Sequence, residues 1–312
     1  MSLFKNIAIV GGSGTLGQHF VKAIHGEGDR FSLTVITRKA GEHQFPAGIK
    51  VIEVGDYSEK NDLLREALVG QDVLIAAHNG EFAPAANAAL LSHAVKAGVR
   101  RIVPCDYSAD VTHPFIVSLA EQGKPMSTRA ANIKNIFDIA STGAITYTIL
   151  VPAGWIDNGL DNGFLGFDIP ARKARLVDQG VHKATGCTKY FIALALLDML
   201  LRPPGESENK KIHIAEVEYS GAALLKELEE ETGAKWDVTH VTSAELIEKA
   251  EQYRASGDLR MAAVSLIHLL NYGGSGAAYY PQALLAELVG PKYQRKTLTQ
   301  IVKEAVRKAD EV

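Results

Sequence analysis

Three glycines near the start of the chain have the spacing of a phosphate-binding turn. Gly11, Gly14 and Gly17 recur every three residues, after the apolar run at 7–10 and before residues 18–24, whose apolar side chains have helical spacing. A strand, a glycine turn and a helix in this order are typical of a dinucleotide pyrophosphate site, because the glycines allow close backbone approach and the helix N-terminus supplies free N–H groups. We predict phosphate binding here, and the alternative is a glycine-rich turn that binds nothing. The other predicted members of this turn are Ser13, Thr15 and Leu16.

Two basic residues follow the second apolar run, at the position that distinguishes the two nicotinamide dinucleotides. NAD-specific sites usually carry an acidic residue there, whose carboxylate accepts a hydrogen bond from the ribose 2′-hydroxyl. This chain carries Arg38 and Lys39 instead. The planar guanidinium of Arg38 matches phosphate oxygens, so the pair predicts NADPH as the cofactor. A solvated basic turn would have the same composition.

Three more polar residues follow predicted strands and complete the predicted cofactor-binding set. Asp56 comes after the third strand, and His78 and Asn79 come after the fourth. The carboxyl ends of parallel strands face the ligand crevice in folds of this kind. Each residue could equally be an ordinary loop or helix-terminal residue.

The elements that must position these side chains alternate between strand and helix. Continuous apolar runs of this kind are typical of strands covered on both faces, and they predict strands near 7–10, 33–37, 51–54, 73–77, 101–104 and 146–151. The sequence therefore predicts an α/β protein with a doubly wound parallel sheet (Rossmann) and a smaller C-terminal α/β substrate domain. We expect the domains to cover 1–155 and 156–312, with some later strands returning to the main sheet.

The second half of the chain has a less regular pattern. Residues 157–166 are rich in glycine and asparagine and predict a flexible loop facing the substrate. Residues 190–201 predict an amphipathic helix, and residues 211–217 predict a strand that returns towards the first domain.

The composition narrows the class of protein. With 312 residues, a formal charge of −3 and two cysteines, the chain is typical of a reduced cytoplasmic protein. We expect no nucleic-acid partner and no metal. No apolar run has the length of a membrane span, and no signal-peptide core precedes the glycine turn, so no membrane association is expected.

Several motifs in the same order resemble the NmrA-like and isoflavone reductase-like branch of the atypical short-chain dehydrogenases, which includes phenylcoumaran benzylic ether reductases. The motifs lie at 11–17, 37–39, 55–58, 97–104 and 145–148. The resemblance covers nearly the whole chain. It implies an NADPH-binding domain and a smaller substrate domain, with an aromatic cleft between them.

The identity of the proton donor is less clear from the sequence. No tyrosine is followed four residues later by lysine, which is the usual catalytic pair of short-chain dehydrogenases. Plant members of the resembled family carry a lysine near the start of the helix after the fifth strand, a slot that falls close to 130 or 133 here. Of the neighbours Arg129 and Lys134, we favour Lys134 because burial can lower the pKa of a lysine. A solvated helix lysine is the alternative, and Tyr107 is the second candidate donor. Plausible substrate walls are Trp155, Phe164 and Phe167, whose alternative role is core packing.

These features predict an NADPH-dependent reductase of a small aromatic or polycyclic metabolite. Two alternatives remain open because the tyrosine–lysine pair is missing. One is a dinucleotide-binding regulatory protein without turnover, which would act through a protein partner. The other is a redox-neutral isomerase or cyclase on the same scaffold.

Overall fold

The centre of the fold is a parallel sheet of seven strands. The computed structural model describes residues 3–41, 44–78, 84–122, 127–286 and 293–311. From one edge to the other, the strands are β11 (Lys210–His213), β6 (Thr146–Val151), β5 (Arg101–Val103), β4 (Val73–Ala76), β1 (Asn6–Val10), β2 (Ser32–Thr37) and β3 (Lys50–Glu53). The chain order reverses between β1 and β4, which makes the topological switch point where such sheets bind ligands. The predicted fold class is confirmed, and a strand from the second half does return to the main sheet.

Helices cover both faces of this sheet because its strands alternate between two cores. Ile7 and Ile9 of β1 belong to one core, and Ala8 and Val10 belong to the other. The first core is covered by α1 (Gly17–His25) and α7 (Lys189–Leu201), and the second by α2 (Asp62–Leu68), α3 (Pro84–Lys96), α4 (Pro114–Glu121) and α5 (Ser127–Ser141). This two-sided burial explains why the central strands β1 and β4 are apolar at nearly every position.

The helix α7 differs from the sequence expectation. Its apolar residues were expected to form one stripe, but residues 191–200 are all buried. A helix that is apolar all round is buried on every side. The prediction of an amphipathic helix was therefore wrong.

Besides α7 and β11, the second half of the chain adds two small three-stranded sheets and five further α-helices among the described residues. The strands are β7 (Gly154–Trp155), β8 (Phe167–Asp168), β9 (Lys173–Val177), β10 (Lys183–Cys187), β12 (Val217–Ser220) and β13 (Asp237–Val241). The helices are α6 (Ile156–Asp161), α8 (Gly221–Thr232), α9 (Ser243–Ala255), α10 (Leu259–Tyr272) and α11 (Leu298–Asp310). The predicted loop at 157–166 was wrong in its first part, because Ile156 and Leu160 are buried one helical turn apart in α6. The division at residue 155 stays a prediction.

Two kinds of site were sought across the described ranges. None of their helices combines the length and apolarity that crossing a membrane requires. Within the same ranges, no group of His, Cys, Asp and Glu side chains could hold a metal ion.

Candidate functional site

A crevice of about 980 Å³ lies at the carboxyl ends of the strands around the switch point. Its size is at the upper end of the range for small-molecule and cofactor sites. The residues that line it come from the loops after β1 to β5 and from Arg129 and Trp155. They include Gly11, Ser13, Gly14, Thr15, Leu16, Arg38, Lys39, Asp56, Tyr57, His78, Cys105, Asp106 and Tyr107.

The glycine turn is shaped by two close backbone approaches. Gly11 has a φ of +79°, and a Cβ there would lie 2.6 Å from the backbone nitrogen of His78. A Cβ on Gly17 would lie 2.0 Å from the carbonyl oxygen of Gly11, so this glycine lets α1 pack against β1 and does not line the crevice. Gly14 is different, because its Cβ would meet the oxygen of Gly11 at 3.2 Å and would otherwise enter the crevice. Contacts within the protein require Gly11 and Gly17 to be glycines. At Gly14, the missing side chain leaves open space that a ligand could occupy.

One end of the crevice is basic. Arg38 and Lys39 are both exposed there, at the end of β2. Asp56 also lines this end, and its carboxylate accepts a hydrogen bond from the backbone nitrogen of Ser58 at 2.9 Å. Hydrogen bonds from Ser58 lower the pKa of Asp56. Asp56 therefore organises the turn that leads to α2, in addition to facing the crevice.

His78 lies between the two ends of the crevice. Its ring is half-buried and lies 5.9 Å from the ring of Tyr57. Burial lowers the pKa of His78, Asn87 opposes this effect, and the charge of Arg38 adds to it. Neither ring nitrogen makes a well-formed hydrogen bond to a described residue. His78 is therefore neutral at pH 7. Asn79, predicted beside it, lies outside the described residues.

The other end of the crevice has an aromatic wall formed by Tyr107 and Trp155. The indole Nε1 of Trp155 donates a hydrogen bond to the carbonyl oxygen of Tyr107 at 2.6 Å. The ring of Tyr107 packs edge-on against Phe20 with centroids 5.3 Å apart. Tyr107 is only 6% exposed, and its hydroxyl has no partner among the described residues. Burial raises the pKa of Tyr107 well above its usual value, so the phenol stays protonated.

A buried ion pair lies beside this wall. Arg129 Nε donates to Asp106 Oδ1 at 2.8 Å, and Arg129 Nη2 donates to Asp106 and to the carbonyl oxygen of Ala109. Both side chains are 9% exposed. Sequence reasoning did not select either residue. The position of Asp106, just after β5, was a usable signal because crevice residues follow parallel strands.

Lys134 does not reach the crevice, so its selection as proton donor was wrong. Its Nζ lies 2.6 Å from Asp138 Oδ2, and the two side chains are 74% and 60% exposed. Arg129 and Lys134 are five residues apart, so their side chains point about 140° apart around the axis of α5. Because Arg129 faces the crevice, Lys134 faces solvent. The interaction with Asp138 is an ordinary surface pair.

Two of the three predicted substrate walls also lie elsewhere. Phe167 is buried and packs against Trp236 with ring centroids 6.3 Å apart. Phe164 lies beneath the guanidinium of Arg260, which is 5.3 Å from the ring centroid. Both have packing roles, and only Trp155 lines the crevice.

Comparison with known proteins identifies a class of ligand for this chain. The model of a family described as NAD(P)H-binding matches residues 11–179, which is more than half of the chain. The chain belongs to this NAD(P)H-binding family. The predicted dinucleotide cofactor is confirmed, and the matched range contains every residue that lines the crevice.

The chain is also similar to curated relatives in sequence and to solved structures in fold. The oxidoreductase aprR of Aspergillus flavus is 26% identical over 273 residues, which cover 88% of this chain and 89% of that protein. The oxidoreductase poxI of Penicillium oxalicum is 28% identical over 233 residues, or 73% of this chain and 70% of that protein. An isoflavone reductase structure has a TM-score of 0.73 at 18% identity and covers 96% of this chain and 99% of its own. A leucoanthocyanidin reductase–NADPH complex from Vitis vinifera has a TM-score of 0.72 at 15% identity, covering 97% and 99%. The resemblance to isoflavone reductase-like proteins is confirmed.

The residues of the crevice fit a dinucleotide. The open space beside Gly14 and the start of α1 suits a pyrophosphate, because backbone N–H groups and the helix dipole favour anions there. Arg38 and Lys39 stand at one end, and the aromatic wall stands at the other. The long axis of the crevice therefore has one cationic end and one aromatic end.

Proposed function

We propose that this NAD(P)H-binding protein is an NADPH-dependent reductase of a small aromatic or polycyclic metabolite. The observation that carries the proposal is the wall of Tyr107 and Trp155, fixed by a 2.6 Å hydrogen bond at the end of the crevice away from Arg38. Flat aromatic surfaces favour aromatic ligands through offset or edge-to-face contacts. The names of the relatives support reduction, since two are called oxidoreductases and two solved structures are named as reductases.

The roles of the residues follow from their positions. NADPH would supply a hydride when bound, and Trp155 would form part of the wall of the acceptor space. The glycine turn would bind the pyrophosphate, and Arg38 with Lys39 would bind the 2′-phosphate. Asp56 and His78 would contact the adenosine half and the adjoining ribose. The unpartnered hydroxyl of Tyr107 would donate a hydrogen bond to the oxygen on which negative charge develops.

A direct test measures NADPH consumption in the presence of aromatic acceptors. Menadione and a panel of aromatic ketones and enones serve as probes, with aliphatic aldehydes of similar size as controls. We expect NADPH oxidation with the aromatic acceptors and little with the aliphatic ones. Consumption no faster than in the absence of acceptor, across the whole panel, would remove the basis for reductase activity on this class.

The basic end of the crevice should determine the choice of cofactor. Arg38→Ala is expected to weaken NADPH binding by about 1.5–3 kcal/mol, because it removes a charge-assisted contact with the 2′-phosphate. The affinity for NADH, which lacks that phosphate, should hardly change. Isothermal titration calorimetry with both cofactors measures the effect.

The control for this prediction is Arg65→Ala. Arg65 is an exposed arginine on α2 that pairs with Asp62 and does not line the crevice. Its removal should leave both affinities unchanged. Equal affinities of the wild type for NADPH and NADH would contradict the assignment of Arg38.

The unpartnered hydroxyl of Tyr107 should lower the stability of the protein and raise its turnover. A buried polar group without a partner costs about 1–3 kcal/mol, so Tyr107→Phe is expected to raise the free energy of unfolding by about 1 kcal/mol. Turnover of an aromatic acceptor should fall by about 10²-fold, which is typical for the loss of one oxyanion donor. Denaturant unfolding and steady-state kinetics measure the two effects.

Tyr147→Phe is the matched control, because Tyr147 packs against Phe137 outside the crevice. It should leave turnover unchanged. If Tyr107→Phe lowers the stability and keeps the activity, the hydroxyl has a structural role and the proposed one is wrong.

A further inference from the structure

The loop after β5 carries two buried carboxylates with opposite surroundings. Asp110 accepts hydrogen bonds at both oxygens: Oδ1 from the nitrogen and hydroxyl of Thr112, and Oδ2 from Lys211 at 2.7 Å and His213 at 3.2 Å. Although burial opposes ionisation, these donors hold the pKa of Asp110 well below its usual range. Asp110 is a permanently charged structural group.

Only one of the two carboxylate oxygens of Asp106 accepts hydrogen bonds from described residues. Both donors of Arg129 are directed at Oδ1, and no described residue donates a hydrogen bond to Oδ2. The side chain is 9% exposed and lines the crevice beside Tyr107. Oδ2 is not among the fully buried side-chain atoms that lack a partner, so this oxygen is the part of Asp106 that a ligand in the crevice could reach.

We propose that Asp106 is the proton donor of the crevice and that Arg129 is its positioning residue. This inference rests on the proposed reductase function. As the hydride and its two electrons reach the acceptor carbon of a carbonyl group, the electron pair of the C=O bond moves to the oxygen. The proton on Asp106 Oδ2 is transferred to that oxygen, which completes the alcohol and leaves Asp106 as a carboxylate. A proton from solvent then restores the acid.

The other titratable groups near this end are poorly suited to the task. Burial raises the pKa of Tyr107 so far that full transfer of its proton is expensive. Burial lowers the pKa of His78, which therefore carries no spare proton at pH 7. The pKa of Asp106 is raised by burial and by the charge of Asp110, and Arg129 opposes the rise. A general acid works best when its pKa lies near the operating pH.

A second cavity offers a route for the returning proton. It has about 30 Å³ and shares Cys105, Asp106 and Arg129 with the crevice. Asn87 and Asn132 supply polar groups to its otherwise apolar lining, and a cavity of this volume has room for a water molecule. Such a water would lie in a cavity that Asp106 itself lines.

The first experiment titrates Asp106 without any substrate. The carboxyl carbons of ¹³C-labelled aspartate are followed by NMR against pH in the full chain saturated with NADP⁺, and Asp106→Asn assigns the resonance. We expect a midpoint clearly above the ordinary aspartate value of about 3.9. Arg129→Lys keeps the charge but loses the fork geometry, so it should raise the midpoint further. A midpoint at or below the ordinary value would overturn the proposal.

The second experiment follows turnover of menadione with NADPH as a function of pH. Turnover by the wild type should decline as pH rises through the Asp106 midpoint. Asp106→Asn should lower turnover by about 10²–10⁴-fold, remove that decline and leave the NADPH affinity unchanged. Asp106→Glu keeps a carboxylic acid at this position and should recover part of the rate. This variant also tests the role if Asp106→Asn folds poorly.

The matched control is Asp138→Asn, an exposed aspartate that pairs with Lys134 on α5. It should behave as the wild type does. Turnover by folded Asp106→Asn within a few-fold of the wild type would overturn the role. The wild type could reduce no aromatic acceptor although the NMR midpoint of Asp106 is raised. In that case the proposed reductase function is wrong, and the assignment of Asp106 as an acid of raised pKa is still supported.

Discussion

Gly14→Val is expected to abolish dinucleotide binding in a protein that still folds. The φ of Gly14 lies outside the left-handed region, and a Cβ there would lie 3.2 Å from the carbonyl oxygen of Gly11 and 3.5 Å from that of Ala77, so the turn needs to give by a few tenths of an ångström. The rest of the valine side chain would occupy the space of the pyrophosphate. Loss of two backbone contacts to phosphate, each worth about 1.5–3 kcal/mol, should weaken binding by at least about 100-fold. Calorimetric titration with NADPH and thermal unfolding measure the two properties.

Gly17→Val provides the contrast within the same turn. A Cβ there would lie 2.0 Å from the carbonyl oxygen of Gly11, so this variant should lose the fold itself. Unchanged NADPH affinity in folded Gly14→Val would show that the phosphates bind elsewhere. The two variants therefore separate a glycine that the ligand requires from one that the fold requires.

The strands and the glycine turn could be predicted because their causes are local. The central strands β1 and β4 are continuous apolar runs, and both cores beside β1 require that pattern. Gly11 and Gly17 are required because a Cβ at either position would clash with backbone atoms nearby. The basic pair at 38 and 39 follows β2 directly, so its place at the crevice follows from the strand.

The ion pair of Asp106 and Arg129 could not be predicted in the same way. Its members lie 23 residues apart, and their meeting depends on how α5 is rotated against the sheet. A sequence shows that a helix carries Arg129 and Lys134, but the rotation decides which of them faces the crevice. The chemistry of the two side chains favoured Lys134 as the crevice residue. The packing of Ile133 and Ile136 in the core instead turns α5 so that Arg129 faces the crevice. The burial of α7 on all sides has the same origin, because it depends on neighbours distant in sequence.

Arg129→Met should destabilise the protein far more than Lys134→Met, although both remove a cation from α5. The Asp106–Arg129 pair is buried, and wherever Asp106 is ionised, removal of one partner of such a pair costs about 3–5 kcal/mol because the other charge is left uncompensated. The Lys134–Asp138 pair is exposed, so its loss should cost between zero and about 1 kcal/mol. Denaturant unfolding of both variants at pH 7 measures the difference. Lys134→Met should also keep turnover within a few-fold of the wild type.

The cost of Arg129→Met should depend on pH in a defined direction. Burial already raises the pKa of Asp106 in the folded wild type, and loss of the guanidinium should raise it further above its unfolded value. The folded protein then binds more protons than the unfolded chain, so the variant loses stability as pH rises through the folded-state pKa. The gap between wild type and variant should therefore be larger at pH 8 than at pH 5. Adding Asp106→Asn to Arg129→Met removes the buried charge and should recover much of the loss, with no remaining pH dependence from this site. A gap that is the same at both pH values would show that Asp106 does not change its protonation state between them, and the proposed titration would then be wrong.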